Sequence, residues 1–116
     1  MSYIDGFVAA VPTANRAEFI EHATRIDALF IEFGATRVVE GWGDDVKPGK
    51  LTDFQRAVQA TDDETVVFSW IEWPDKATRD AGFERMISDE RMQGPMPFDG
   101  KRMIFGGFET VFERTA

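Results

Sequence analysis

Tyr3-Ile4-Asp5-Gly6-Phe7-Val8-Ala9-Ala10-Val11-Pro12 and Thr65-Val66-Val67-Phe68-Ser69-Trp70-Ile71-Glu72-Trp73-Pro74 are apolar runs, rich in β-branched and aromatic residues, and each stops at a proline. Such residues suit a pleated, half-buried surface, so both runs read as strands. The first leads into an amphipathic helix to Phe33 and a strand from Thr36 to Trp42. The second leads into a thinner helix and a strand from Arg102 to Phe112. One β-α-β pattern is therefore used twice, and the four strands predict a single sheet.

Side chains alternate across a strand, which sets the faces. Tyr3, Asp5, Phe7, Ala9 and Val11 share one face of the first strand, and Ile4, Val8 and Ala10 the other. Val66, Phe68 and Trp70 oppose Val67, Ile71 and Trp73, while Met103, Phe105 and Val111 oppose Ile104, Phe108 and Phe112. Neither face reads as a solvent face. Two helices can cover only one, and a bare apolar sheet would exceed the few hundred Å² that monomers ordinarily expose, so a homodimer joined through the sheet faces is predicted. Gly106 and Gly107 in the last strand predict a bulge, with close approach of backbone or ligand as the alternative.

Asn15 followed three residues later by Glu18 predicts a capping box at the start of the first helix. Phe19, Ala23, Ile26, Phe30 and Phe33 then form one apolar stripe, and Gly34 supplies the stop. The second helix is predicted from Asp75 to about Ile87, with Ala77, Ala81 and Phe83 or Ile87 facing inward and Gly82 weakening it by about 1 kcal/mol relative to alanine. Between the two units, Gly43 to Asp63 forms a long connection in which Thr52 and Gln55 would open a short helix through Ala60. Connections of that length in small domains are often functional.

At 116 residues the chain is expected to form one domain, 1–116, with one core. Thirteen basic against 21 acidic residues give a formal charge of −8, without a basic stripe, which argues against nucleic acid and against an anionic membrane as partners. Cysteine is absent, so disulfides, thiol nucleophiles and cysteine-based metal sites are excluded. The opening residues resemble no secretory leader and no run is long enough to span a bilayer, so a soluble cytoplasmic protein is expected.

Gly43-Asp44-Asp45-Val46-Lys47-Pro48-Gly49-Lys50-Leu51 superficially resembles a phosphate-binding loop. It has five residues between its glycines where that motif has four, and leucine follows the lysine. Its two aspartates would repel phosphate, so a turn is the better reading. Asp44 and Asp45 alone do not supply the oxygens calcium prefers, and no metal or cofactor is expected. His22, the only histidine, reads as a partly buried helix residue. Ser69 lacks the surroundings of an activated nucleophile and reads as a hydroxyl bonded within the sheet. Trp42, Trp70 and Trp73 read as core or interface residues, with a ligand cavity as the alternative.

Asp5-Gly6-Phe7, Gly43 to Lys50, Val66 to Ile71, Met96-Pro97-Phe98-Asp99-Gly100-Lys101-Arg102-Met103-Ile104 and Gly106-Gly107-Phe108-Glu109 together resemble the YbaA-like bacterial proteins over nearly the whole chain. Met92-Gln93-Gly94-Pro95 departs from longer family versions of that stretch. The resemblance implies an α+β, ferredoxin-like βαββαβ fold with an antiparallel four-stranded sheet, two such sheets packing as a dimeric α/β barrel. It implies no catalytic residues, because that family carries no established activity. A homodimer binding an unidentified small molecule between sheet and helices is the leading functional expectation. The alternatives are a cofactor-independent enzyme, monooxygenase- or isomerase-like, and a purely structural or partner-binding dimer. Candidate ligand-binding residues are Asp44, Asp45, Lys47, Lys50, Ser69, Trp70, Asp99, Lys101 and Arg102. The segments Asp44 to Lys50 and Asp99 to Arg102 are expected to neighbour one another at the site, or else to pair, Asp44 or Asp45 with Lys101 or Arg102, merely to fix the connection.

Overall fold

A computed structural model describes residues 2–116. Its elements run β1 (Tyr3–Pro12), a 3-10 turn (Thr13–Asn15), α1 (Arg16–Glu32), β2 (Arg37–Trp42), α2 (Phe54–Ala57), β3 (Glu64–Trp73), α3 (Lys76–Ile87), a second 3-10 turn (Glu90–Met92) and β4 (Ile104–Glu109). The strands form one sheet in the order β2-β3-β1-β4, with every neighbouring pair antiparallel. The two apolar runs are its central strands, paired from Tyr3 opposite Trp73 to Pro12 opposite Glu64.

The helix-side face carries two of the buried clusters. Ile26, Leu29 and Phe30 of α1, with Phe33 at its C-cap, pack on Ile71 and Trp73, while Phe19 packs with Ala9, Val11 and Val67. The opposite face is covered at one end only. There the long connection folds back so that Val58, fully buried, meets Val8, Ala10 and Val66. Beyond that cover Phe68, Ile104 and Phe108 stay 46%, 46% and 62% exposed, leaving the outer face as two-sided as the alternation predicts.

Several local expectations change. Asn15 occupies the cap position of α1 but makes no side-chain cap bond. The 3-10 turn runs straight into the helix, so Asn15 (φ −96°, ψ 20°) is not in the extended conformation from which a capping side chain reaches forward. At the other end Gly34 has φ +119° and closes α1 as expected, with Ala35 N–H donating to the Phe30 carbonyl at 2.9 Å. The short helix of the connection spans Phe54–Ala57 and is capped by Asp53, not Thr52: the Asp53 carboxylate accepts from Arg56 N–H at 2.7 Å and from Gly49 N–H at 3.1 Å. A charged acceptor with two oxygens can serve both the helix and the preceding turn.

The inward residues of α3 are Gly82, Phe83 and Met86, whereas Ala77, Ala81 and Ile87 are exposed. The Trp73 ring lies against the backbone at Gly82, where an added Cβ would meet it at 2.8 Å. β4 starts at Ile104 and stops at Glu109, because β1 begins at Tyr3 directly opposite and the ladder ends there. Arg102 is drawn instead into the turn begun by Asp99. Pairing runs unbroken through Gly106 and Gly107, so the bulge does not form. At Gly107 the backbone passes so close to the side-chain ends of Tyr3 and Arg79, whose Nη2 is 2.9 Å from where a Cβ would stand, that both would have to shift to admit a side chain.

Candidate functional site

Between α1, the sheet and the segment leading to β4 the helix-side layer leaves a cleft of about 310 Å³. The sheet supplies its floor with Phe7, Ala9, Val67, Ser69 and Ile71. α1 supplies one wall with Phe19, His22, Ala23, Ile26, Asp27 and Phe30. Met92, Met96, Phe98 and Met103 close it from above, so the Pro97-Phe98-Asp99-Gly100 stretch acts as a roof. An outer groove of about 350 Å³, lined by Arg16, Ile20, Thr24 and Trp42 among others, adjoins it and shares Asp27 and Glu40. These two carboxyls therefore stand where the apolar chamber meets the open groove.

Asp27 comes from α1 and Glu40 from β2, where Glu40 alternates inward with Val38 and Trp42. Burial pushes Asp27 up to about 8, reinforced by the charge of Glu40 and by a hydrogen bond to it. Burial also raises Glu40, opposed by hydrogen bonds from Ser69 and Asp27. By accessible surface Asp27 is half-buried and Glu40 exposed, so the shift is the firmer for Asp27, which of the two neighbouring carboxyls is the one that resists ionising. His22 meets the Phe98 ring edge-on, with centroids 6.2 Å apart, and its pKa is lowered by burial and then by Arg25. It is neutral at pH 7.

The candidates named from sequence are distributed over the molecule. Ser69, 7% exposed, is in the cleft, whereas Trp70 lies on the outer face with its indole N–H donating to Glu72 at 2.8 Å. Asp44, Asp45, Lys47 and Lys50 are exposed on the connection, where Lys47 pairs with Asp45 at 2.8 Å. Asp44 borders a groove on the outer face with Phe54, Phe68 and Trp70. Asp99 and Lys101 are exposed in the roof turn, carried between the cleft residues Phe98 and Met103. Arg102 binds Glu64 through two nitrogens at 2.8 and 2.7 Å, Asp99 at 3.0 Å and the Gln59 carbonyl at 2.8 Å. The pairing of Asp44 or Asp45 with Lys101 or Arg102 is thus replaced: Arg102 pins the roof to the far end of the connection, beside the base of β3.

Asp27 and Glu40 were not among those candidates. The available signal is positional: Asp27 stands four residues after Ala23 and three before Phe30, within the inner stripe of α1, and Glu40 is a charge at an inward strand position. The carboxylate buried outright is Asp5, 2% exposed and fully engaged. It accepts from Trp73 Nε1 at 2.8 Å and from Arg79 at 2.8, 3.1 and 3.2 Å, while the Arg79 guanidinium lies 4.3 Å from the Phe83 ring centre. With its lone pairs taken, Asp5 ties α3 to the sheet. Among the described residues no group of three or more His, Cys, Asp or Glu is positioned to hold a metal ion, and no helix is long and apolar enough to cross a membrane.

The element order and sheet topology define an α+β protein of ferredoxin-like architecture. A solved dimeric ferredoxin-like protein from an uncultured marine organism superposes with a TM-score of 0.63, covering 97% of this chain and 98% of its own at 11% identity, a likeness of fold alone. The family model for a protein of unknown function, DUF1428, matches residues 2–100. The uncharacterised protein YbaA of Escherichia coli K12 is 53% identical over 116 residues, covering 97% of this chain and 99% of that protein. The YbaA of Shigella flexneri shows the same identity and coverage. The chain belongs to this YbaA-like family of unknown function, DUF1428.

Proposed function

We propose that the protein is a homodimer of single-domain subunits, joined through the outer sheet faces, that binds a small molecule in the helix-side cleft. The observation that carries the reading is the cleft itself: about 310 Å³, lined mainly by phenylalanine, methionine and aliphatic groups, with one convergent polar cluster, Asp27, Glu40 and Ser69. Apolar cavities with a few polar groups of perturbed pKa are the usual form of small-molecule sites. The dimer is supported by the shallow depression of about 600 Å³ between Ile4, Val8, Phe68, Trp70, Ile104 and Phe108, an apolar surface left uncovered in one subunit. The solved ferredoxin-like neighbour is also described as dimeric.

Native mass spectrometry of protein purified from its own cells tests the binding reading. Retained mass beyond the 13.1 kDa chains, lost in an Ala23→Phe variant that remains folded, is the expected result, since Ala23 lines the cleft wall. Bare chains under conditions that preserve the assembly, with no small molecule recovered on extraction, would count against it.

A second reading, a cofactor-independent enzyme, is favoured by the same carboxyl pair. Two carboxyls at one wall of the cleft, Asp27 with its pKa raised and Glu40 open to solvent, offer an acid and a base. Turnover of a retained ligand, lost in Glu40→Gln with binding preserved, would select it.

A further inference from the structure

We infer that the ligand of the helix-side cleft is an uncharged amphiphile, with a flexible alkyl body in the apolar chamber and a hydroxyl-bearing head in the outer groove beside it. The inference rests on the cleft being the ligand site and adds the chemical class of what fills it. The chamber of about 310 Å³ and the groove of about 350 Å³ share one wall, made by Phe19, Ala23, Asp27 and Glu40. Phe19, Ala23 and Asp27 follow one another on successive turns of α1 and so share a face. Ala23, the smallest side chain of that wall, therefore lies where the two cavities adjoin.

The chamber sets the body. All four methionines after Met1, namely Met86, Met92, Met96 and Met103, line this one cavity, together with several phenylalanines. Unbranched thioether side chains have three rotatable bonds and repack around an irregular guest. Such a lining follows a flexible alkyl chain, and each methylene it covers is removed from water.

The roof is built to adjust as well. Among the described residues, 94–98 make no hydrogen bond to other backbone outside regular elements, two of them are prolines, and Gly94 turns with φ +118° and open space around it. The ends of the roof are held instead by side chains, Arg91 on Glu32 of α1 and Arg102 on Glu64 of β3. A segment with few backbone bonds between two fixed ends can shift over guests of different bulk.

The groove sets the head. Arg16 lies along it with its guanidinium 5.8 Å from the Trp42 ring centre, and among the described residues no carboxylate forms an ion pair with it. The Thr24 hydroxyl donates to the Ile20 carbonyl at 2.7 Å, which leaves its oxygen available to accept. Asp27 and Glu40 add carboxyl oxygens on the side that meets the chamber. An anionic head would face those carboxyls, and a cationic one would face Arg16. With Asp27 the carboxyl that resists ionising, one full charge of each sign remains, Arg16 and Glu40. Hydroxyls serve both, because each can donate to a carboxylate and accept from a guanidinium.

Titration calorimetry at pH 7 with monooctanoylglycerol, monobutanoylglycerol, octanoate and octylammonium, all kept below micelle-forming concentrations, tests this. Expected is the octanoyl ester binding at least about tenfold tighter than octanoate or octylammonium, and roughly a hundredfold tighter than the butanoyl ester, whose chain has four methylenes fewer. Met96→Gln, in the chamber lining, weakens all three eight-carbon probes, whereas Arg16→Gln, in the groove, weakens the ester and lets octylammonium close the gap. If octanoate or octylammonium matches the ester, or Arg16→Gln leaves the ester's lead intact, the uncharged head is overturned while the cleft remains a ligand site. If the butanoyl ester binds as tightly as the octanoyl, or Met96→Gln has no effect, the alkyl body is not in the chamber and the inference falls. If no probe binds although native mass spectrometry finds a retained molecule that Ala23→Phe expels, the class is wrong and the cleft reading stands; if neither is seen, both fall.

Discussion

Replacing Arg79 by methionine removes the charge that balances Asp5 while keeping much of the side chain's volume. Asp5 is 2% exposed and takes its hydrogen bonds from Arg79, at 2.8 to 3.2 Å, and from Trp73 Nε1 at 2.8 Å. Stripping one partner from such a pair leaves an uncompensated buried charge and costs about 3–5 kcal/mol. Lost cation-π contact with Phe83 adds about 0.5–1 kcal/mol. In the double variant Asp5→Leu/Arg79→Met no buried charge remains, and the chief deficit is the Trp73 N–H left without an acceptor, about 1–3 kcal/mol. Urea unfolding at fixed protein concentration and pH 7 should therefore rank wild type, double variant and single variant in falling order of stability. An Arg79→Met protein within about 1 kcal/mol of wild type, or a double variant less stable than the single, would refute the reasoning.

Gly82→Ala should destabilise by about 1–3 kcal/mol in thermal or urea unfolding, despite alanine's helix propensity, because the new methyl would stand 2.8 Å from the Trp73 ring; an unchanged or raised stability would show that the ring yields freely. Phe68→Glu or Phe108→Glu, on the uncovered sheet face, should turn a dimer into a folded monomer by analytical ultracentrifugation, whereas a wild type already monomeric at micromolar concentration would end the dimer proposal. Between pH about 4 and about 8 Asp27, raised from 3.8 to about 8, holds a proton in the folded chain that the unfolded chain has lost. Its contribution to stability therefore declines as pH rises, and Asp27→Asn should flatten that slope in a series of melting temperatures. Glu64, lowered from 4.5 to about 2 chiefly by Arg102 and then by Thr61 N–H, acts in the opposite sense: its contribution is full above about 4.5 and fades as pH falls toward about 2, so Glu64→Gln should lessen the acid sensitivity.

Patterns that depend on near neighbours along the chain were legible without coordinates. Period-two alternation in Tyr3–Val11 and Thr65–Trp73 places the two central strands and shows both their faces apolar, and the three-and-four spacing from Phe19 to Phe33 places α1. Gly34 marks the helix stop because its left-handed backbone is a local requirement. Tertiary structure decided what depends on which surfaces meet. Gly82 reads from sequence as a weak point in a helix, yet it is the gap into which Trp73 packs from another element. Gly106 and Gly107 read as a bulge, yet the ladder is regular and Gly107 makes room for Tyr3 and Arg79. Asp27 and Glu40 lie on different elements, and neither spacing nor residue type announces their meeting; only the packing of α1 over β2 brings both to one wall of the cleft, where the pKa of Asp27 is raised. Periodicity reports which way a side chain points from its own backbone, whereas a pKa, a steric fit or a cleft depends on the atoms opposite, and those are brought there by the fold.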